Sequence, residues 1–207
     1  MCEGADNASK TICDYSGNNN HGIPQGAPEW LEPPQSGILD GAFRFDGVDD
    51  AIIVPHSLSI NLGSYGQFSV ESLITPDSIA SPTKMVASKG DIDNHDTRNF
   101  VLFFNSETLY FNFTIGEFSA LFAAPGLKSH VLGTYSNTGN SRLFVNGVSF
   151  GDKPFSGIVP TNNDPLVIGA NSNLTRFFDG LIDEISLYDR ALSAEEVNEH
   201  YLSSSGD

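Results

Sequence analysis

The sequence predicts an all-β domain, a sandwich or barrel of antiparallel strands followed by one short C-terminal helix. Three observations carry that prediction. Between residues 43 and 187 the chain is a series of short apolar runs broken by Gly, Asn, Asp, Pro and Ser, the pattern of many strands joined by turns. Asn146-Gly147 stands between Ser141-Arg142-Leu143-Phe144-Val145 and Val148-Ser149-Phe150. That dipeptide between strands is a strong hairpin signal, because a type I′ turn needs positive φ at both central residues. Finally, the chain repeats itself: Arg44-Phe45-Asp46-Gly47-Val48-Asp49-Asp50 leads into Ala51-Ile52-Ile53-Val54, and Phe177-Phe178-Asp179-Gly180 leads into Leu181-Ile182-Asp183-Glu184-Ile185-Ser186-Leu187. An aromatic, an Asp-Gly turn, further acid and an alternating strand at both ends suggest that the domain closes by pairing its two ends.

The elements follow in order. Residues 14–20 read as a polar turn, and residues 22–41, with four prolines, as a long ordered loop. Strands are expected over 67–75, 83–88, 99–104, 109–114, 117–122, 129–135 and 165–170, besides the hairpin. Ser193-Ala194-Glu195-Glu196 is a capping box, with Ser193 as N-cap and Glu196 at the third helical position. Val197 and Tyr201 then share a helix face. A chain of 207 residues without a Pro- or Ser-rich linker fits one domain spanning 1–207. Its parts are an opening turn and loop over 1–42, a sandwich over 43–190 and a helix over 193–203.

Charge excludes several functions. The formal net charge is −16, from 26 acids against 10 bases. Nucleic-acid binding needs a basic face, and an anionic membrane surface would repel this chain. No apolar run is long enough to span a bilayer, and no hydrophobic signal region follows Met1, so membrane insertion is not expected. Cys2 and Cys13 lie close together in an otherwise cysteine-free chain. A bridge between them favours an oxidising compartment; two free thiols are the alternative.

Two polar constellations are candidates for chemistry. Asp14-Tyr15-Ser16-Gly17-Asn18-Asn19-Asn20 places oxygen-bearing side chains at alternate positions of a glycine-containing turn. Ca²⁺ takes about 6–8 oxygens, so a second segment must contribute. Strand alternation puts Asp183 on the face of Leu181, Ile185 and Leu187, where a carboxylate is costly unless paired or metal-bound. The expected calcium ligands are therefore Asp14, Asn18, Asn20 and Asp183. The alternative is that Asp14 and Asn18 make side-chain-to-backbone turn bonds. The second constellation, Asp91, Asp93, Asn94 and His95, is a candidate for a metal or sugar hydroxyls against the plainer reading of a solvated loop. Asp46, Asp49 and Asp50 read as tight-turn geometry. Trp30, in the proline-rich segment, is the candidate aromatic platform for a sugar. No Glu-x-Asp-x-x-Glu strand, Gly-x-Ser-x-Gly elbow, phosphate loop or His-Glu-x-x-His is present. Glu71 and Glu107 look isolated, so no catalytic residues are expected.

Several motifs together resemble the laminin G-like jelly rolls of the concanavalin A-like group. They are Asp14-Tyr15-Ser16-Gly17-Asn18-Asn19-Asn20-His21-Gly22, Gly41-Ala42-Phe43-Arg44-Phe45-Asp46-Gly47, Val86-Ala87-Ser88-Lys89-Gly90, His130-Val131-Leu132-Gly133-Thr134-Tyr135 and Phe178-Asp179-Gly180 through Leu192-Ser193. The resemblance implies a concanavalin A-like jelly-roll sandwich of two antiparallel sheets, with a structural calcium near the segments named above. The family often has Trp where this chain has Lys128, and an apolar strand ahead of the point where Met1 stands. A missing strand would leave a sheet edge able to pair with a neighbour.

These readings converge on a non-catalytic, extracellular or cell-surface module, stabilised by calcium, for adhesion or binding of glycan or extracellular protein ligands. The alternative is a structural subunit, a homo-oligomer or filament completed by strand exchange; a glycan-active hydrolase or lyase ranks third.

Overall fold

The computed structural model describes residues 11–32, 41–79, 82–114, 116–121, 125–154 and 157–205. Two seven-stranded sheets face each other. The first runs β1 (Ile23–Gln25), β4 (Ala51–Val54), β13 (Leu166–Ile168), β6 (Lys84–Lys89), β7 (Phe100–Asn105), β8 (Thr108–Phe113) and β9 (Gly116–Leu121). The second runs β12 (Val148–Pro154), β11 (Asn140–Val145), β10 (Ser129–Ser136), β5 (Gln67–Pro76), β14 (Asp179–Tyr188), β3 (Ala42–Asp46) and β2 (Glu29–Leu31). Every pairing between these strands is antiparallel, as the sandwich reading required.

Aromatic side chains fill the space between the sheets. Phe68 of β5 lies within 6.3 Å, ring centre to ring centre, of Phe100, Phe111, Phe113 and Tyr135. Tilted and edge-on ring contacts of this kind contribute about 0.5–1.5 kcal/mol each beyond burial. Gly133 of β10 makes room for this packing: a Cβ there would lie 2.4 Å from the Phe111 ring.

The hairpin forms where expected. Asn146 and Gly147 have φ of 50° and 74°, and Val145 pairs with Val148 across them. The repeated Asp-Gly motifs do meet, but through different parts. Strand β3, ahead of the first turn, pairs with β14, with Asp46 opposite Asp179 and Phe45 opposite Gly180. Strand β4, after the first turn, belongs to the other sheet. The first motif is thus a crossing between sheets and the second opens a central strand.

One expectation fails locally. Residues 22–41 are not simply a loop: β1 edges the first sheet beside β4, and β2 edges the second beside β3, while residues 33–40 lie outside the described set. The helix α1 (Ala194–Ser205) carries its capping box, Glu196 N donating to Ser193 Oγ at 3.2 Å and Ser193 N to Glu196 Oε2 at 2.8 Å. Val197 of α1 packs with Leu192, Leu132 and Phe144, so the helix lies on the outer face of the second sheet. No described helix is long and apolar enough to cross a membrane.

Candidate functional site

A cleft of about 370 Å³ opens between α1 and the outer face of the second sheet. Strand alternation builds its floor. In β5, Phe68, Val70 and Ile74 point into the main core, which turns Ser69, Glu71 and Leu73 outward. Beside them β10 supplies His130, β14 supplies Asp183, Glu184, Ser186 and Tyr188, and α1 supplies His200, Ser203 and Ser204.

Glu71 is the hub. Its Oε1 lies 2.5 Å from His130 Nε2, both carboxylate oxygens lie within 3.1 Å of His200 Nδ1, and Tyr188 donates its hydroxyl to Oε2 at 2.8 Å. Glu71 and His130 are only 7% and 2% exposed, so their pairing is what makes burial of the charge tolerable. Burial pushes the Glu71 carboxyl up, but the hydrogen bonds from His130, Tyr188 and His200 outweigh it and hold the group below its usual range. The Tyr188 phenol is pushed well above its usual range, by burial and by the carboxylate it donates to. An ionised carboxylate only accepts, so His130 Nε2 and His200 Nδ1 must both carry protons.

The ten-residue strand β14 brings a bulge to this site. Asp183 pairs with Leu73 and Ser186 with Glu71, which leaves Glu184 and Ile185 opposite Ser72 alone. Glu184 takes φ of 49°, the left-handed conformation of the first residue of a G1 bulge, a place usually taken by glycine. The bulge overturns the alternation inferred from sequence. Leu181 joins an outer apolar cluster with Leu73, whereas Ile185 and Leu187 pack against the main core. Asp183 therefore lines the outer cleft and does not share a face with Ile185 and Leu187.

The other expected ligands lie elsewhere. Asp14, Asn18 and Asn20 share one turn beside the Ile12–Gly22 bridge, near the first sheet. Asp14 Oδ1 accepts from Ser16 N at 2.9 Å, and Oδ2 from Ser16 Oγ and Asn20 N, each at 2.8 Å. Asn18 Nδ2 donates to Ser16 Oγ at 3.1 Å. Asn20 Oδ1 accepts from Ser57 Oγ at 2.5 Å and its Nδ2 donates to Ser59 Oγ at 3.0 Å. The Asp14 and Asn20 oxygens are thus engaged by donors and Asp183 is on the other sheet, so the four residues as arranged do not converge on one cation. Burial raises the Asp14 carboxyl, but the Ser16 and Asn20 hydrogen bonds outweigh it and lower the group overall. A tighter acidic group sits at Asp46, Asp49 and Asp50, whose ligand atoms lie within 4.8 Å of one another. Asp50 there accepts from Ala27 N at 2.7 Å and Asp46 N at 3.0 Å, and Asp46 from Val48 N at 2.8 Å, as turn geometry predicts.

The 91–95 segment is knitted to its surroundings. Asp91 accepts from Asn171 Nδ2 at 2.9 Å, Asp93 pairs with Arg176 at 2.8 Å, and Asn94 Oδ1 accepts from Asp96 N at 3.1 Å. His95 Nδ1 lies 2.9 Å from the Thr114 carbonyl oxygen. Trp30 is half-buried in β2, packed on Phe43 at 5.1 Å between ring centres, with Nε1 donating to Glu32 at 2.9 Å. It covers Gly41, where a Cβ would meet its ring at 2.4 Å, so its ring is committed to the edge of the sheet. Cys13 is disulfide-bonded; Cys2, the chain's other cysteine, lies outside the described residues.

Sequence reasoning missed Glu71, His130, Tyr188 and His200 as a group. The available signal was Glu71 itself, a carboxylate in the middle of an otherwise nearly uncharged strand, which requires partners if both faces are covered.

Comparison with known proteins agrees with the architecture. The family model Laminin_G_3, described as the concanavalin A-like lectin/glucanases superfamily, matches residues 46–198. No curated protein matches the sequence significantly. Among solved structures, the binding domain of Paraclostridial Mosquitocidal Protein 1 superposes with a TM-score of 0.72 at 19% identity, covering 97% of this chain and 51% of that one. The receptor-binding domain of a botulinum neurotoxin C/D mosaic serotype gives 0.70 at 17% identity, covering 92% and 48%. A botulinum neurotoxin DC binding domain in complex with SialylT gives 0.69 at 16%, covering 96% and 50%. The chain thus spans about half the length of these structures, and the likeness is one of fold.

Proposed function

Because the chain belongs to the Laminin_G_3 family of the concanavalin A-like lectin/glucanase superfamily, we infer that it is a non-catalytic binding module for glycans or cell-surface ligands, acting through the cleft beneath α1. One observation carries this reading: a half-open cleft whose walls are carboxylate, imidazole, phenol and serine groups over the apolar floor of Leu73. Polar groups placed around a small apolar surface suit a polyhydroxylated ligand. The named solved structures, themselves binding domains, support it by fold. A glycosidase needs one carboxyl kept protonated as acid. Glu71 is held the other way, toward ionisation, and so does not fit the part of that acid.

The extracellular part of the proposal is supported by the disulfide at Cys13. The calcium part is supported by the family resemblance and by the gathered carboxylates of Asp46, Asp49 and Asp50. Calcium bound only to the folded state raises the melting temperature by mass action. Melting that a chelator leaves unchanged removes calcium from the proposal and leaves the binding reading standing. The assembly alternative rests on open edges. Against it, β1 and β2 are three residues each, and the exposed edge strand β12 carries Lys153 and Pro154, features that discourage pairing. Glycan-array binding that disappears in Asp183→Asn tests the central claim, and a folded protein that retains no glycan on a broad array defeats it.

A further inference from the structure

Lys89 ends β6, at the centre of the first sheet, and its side chain is fully buried. A lysine so placed is costly unless its amine finds partners. Here those partners are neutral acceptors. Nζ donates to the Asp164 carbonyl at 2.5 Å and to Asn162 Oδ1 at 2.7 Å, and it lies 3.4 Å from His56 Nδ1. Burial pushes the amine down to about 8, against the pull of the Asp164 carboxylate. About a tenth of it is therefore uncharged at neutral pH, and a desolvated, uncharged lysine amine is a nucleophile.

The Asn162 amide is fixed against that amine. Its Nδ2 donates to the Thr97 carbonyl at 2.7 Å and to the Lys89 carbonyl at 3.3 Å, and its Oδ1 accepts from Asp164 N at 3.0 Å as well as from Nζ. The segment that carries it is held too: Asn162 N donates to Asn61 Oδ1 at 3.3 Å, and Asn99 Nδ2 to the Pro160 carbonyl at 2.9 Å. An amine hydrogen-bonded to an amide oxygen sits about 3.5 Å from the amide carbon, within reach of attack. The Asp164 N–H meets the oxygen on which charge would develop, the placement of an oxyanion donor.

We propose that Lys89 and Asn162 join through an intramolecular isopeptide bond. The lone pair of uncharged Nζ attacks Asn162 Cγ, and the carbonyl pair moves onto Oδ1. One Nζ proton passes to Nδ2, with His56 Nδ1 beside the amine as its relay. The carbonyl then re-forms, the Cγ–Nδ2 bond breaks and Nδ2 leaves as ammonia. The step is a transamidation and needs no oxidant or other co-reactant. It ties the end of β6 to the segment leading into β13, its neighbour in the sheet, across 73 residues of chain. Such a link constrains the unfolded chain as a disulfide does. It stands apart from the cleft, which lies on the outer face of the other sheet, and holds whatever the cleft binds.

The test is the intact mass of the purified full chain, folded and incubated at about pH 9, where the amine is mostly uncharged, then reduced and denatured. The chain weighs about 17 Da, one ammonia, less than its sequence. Tryptic mapping of the same sample shows no cut after Lys89 and a branched peptide joining Lys89 to Asn162, a readout that needs no variant. Lys89→Met and Asn162→Ala each keep the full mass of their sequences. The full sequence mass in the unaltered chain, with a normal tryptic cut after Lys89, overturns the proposal and leaves Lys89 as a buried amine among acceptors. A loss of ammonia that persists in Lys89→Met, or that maps to Asn146-Gly147, overturns it in favour of a succinimide.

Discussion

Asp14 and Glu71 are both carboxylates held below their usual range, and the way each is held differs. Asp14 takes its donors from within six residues: two backbone N–H groups and the Ser16 hydroxyl. Glu71 takes its donors from His130, Tyr188 and His200, which lie 59, 117 and 129 residues away. The first is a local turn that closes on its own backbone. The second can form only when three strands and a helix are assembled, and it consumes the side-chain donors of the surface it builds. An acid satisfied by backbone closes a turn; an acid satisfied by side chains from three other elements shapes a cleft around itself. That is why the cleft, rather than the acidic turn, is the better candidate for a ligand.

The largest expected effect separates the two directly. Glu71→Ala strands the buried His130 Nε2 and the Tyr188 hydroxyl together and costs about 3–4 kcal/mol. Asp14→Ala, at a part-exposed turn where water can replace the carboxylate, costs about 1 kcal/mol. Urea unfolding of the two variants measures the difference, and equal losses would erase the distinction. Acid titration sharpens it. The folded-state pKa of Glu71 is depressed below its reference value of 4.5, so its stabilisation is complete above that pH and is lost as pH falls through the folded value. Asp14 acts in the same sense below its reference value of 3.8. Glu71→Ala should therefore flatten the acid limb of the stability profile below pH 4.5, and Asp14→Ala only below pH 3.8; a limb unchanged in Glu71→Ala would show that the Glu71 cluster does not contribute as described.

Much of the fold was legible because its signals are local. Asn146-Gly147 needs only its own φ values, the Ser193–Glu196 box only one helical turn, and the expected strand over 67–75 only an apolar run bounded by turns, which forms β5. The site was less legible for two physical reasons. Its members come from four separate elements, so no spacing in the chain brings Glu71, His130, Tyr188 and His200 together. And the phase of β14 changes in mid-strand at Glu184, where no glycine advertises a left-handed residue. Reading straight alternation through that point placed Asp183 with Ile185 and Leu187, and from there toward the Asp14 turn. The same lack of a local signal hid the short edge strands β1 and β2, which hold their places through pairing with β4 and β3 rather than through any pattern of their own.

The smallest expected effect concerns that bulge. A non-glycine residue at positive φ stores about 1 kcal/mol of strain, which persists only where the surrounding structure enforces it. Here the enforcement is the ladder on both sides: Asp183 is fixed opposite Leu73 and Ser186 opposite Glu71, and Ser72 Oγ donates to the Asp183 carbonyl at 3.1 Å. Glu184→Gly should relieve the strain and raise stability by up to about 1 kcal/mol. The same change removes a carboxylate from the cleft and weakens the ligand. A gain in stability joined to a loss in binding is the pattern of a residue kept for recognition against its backbone preference. Destabilisation by Glu184→Gly, measured by the same urea unfolding, would instead assign the glutamate a structural part and leave Asp183 as the acid by which β14 meets a ligand.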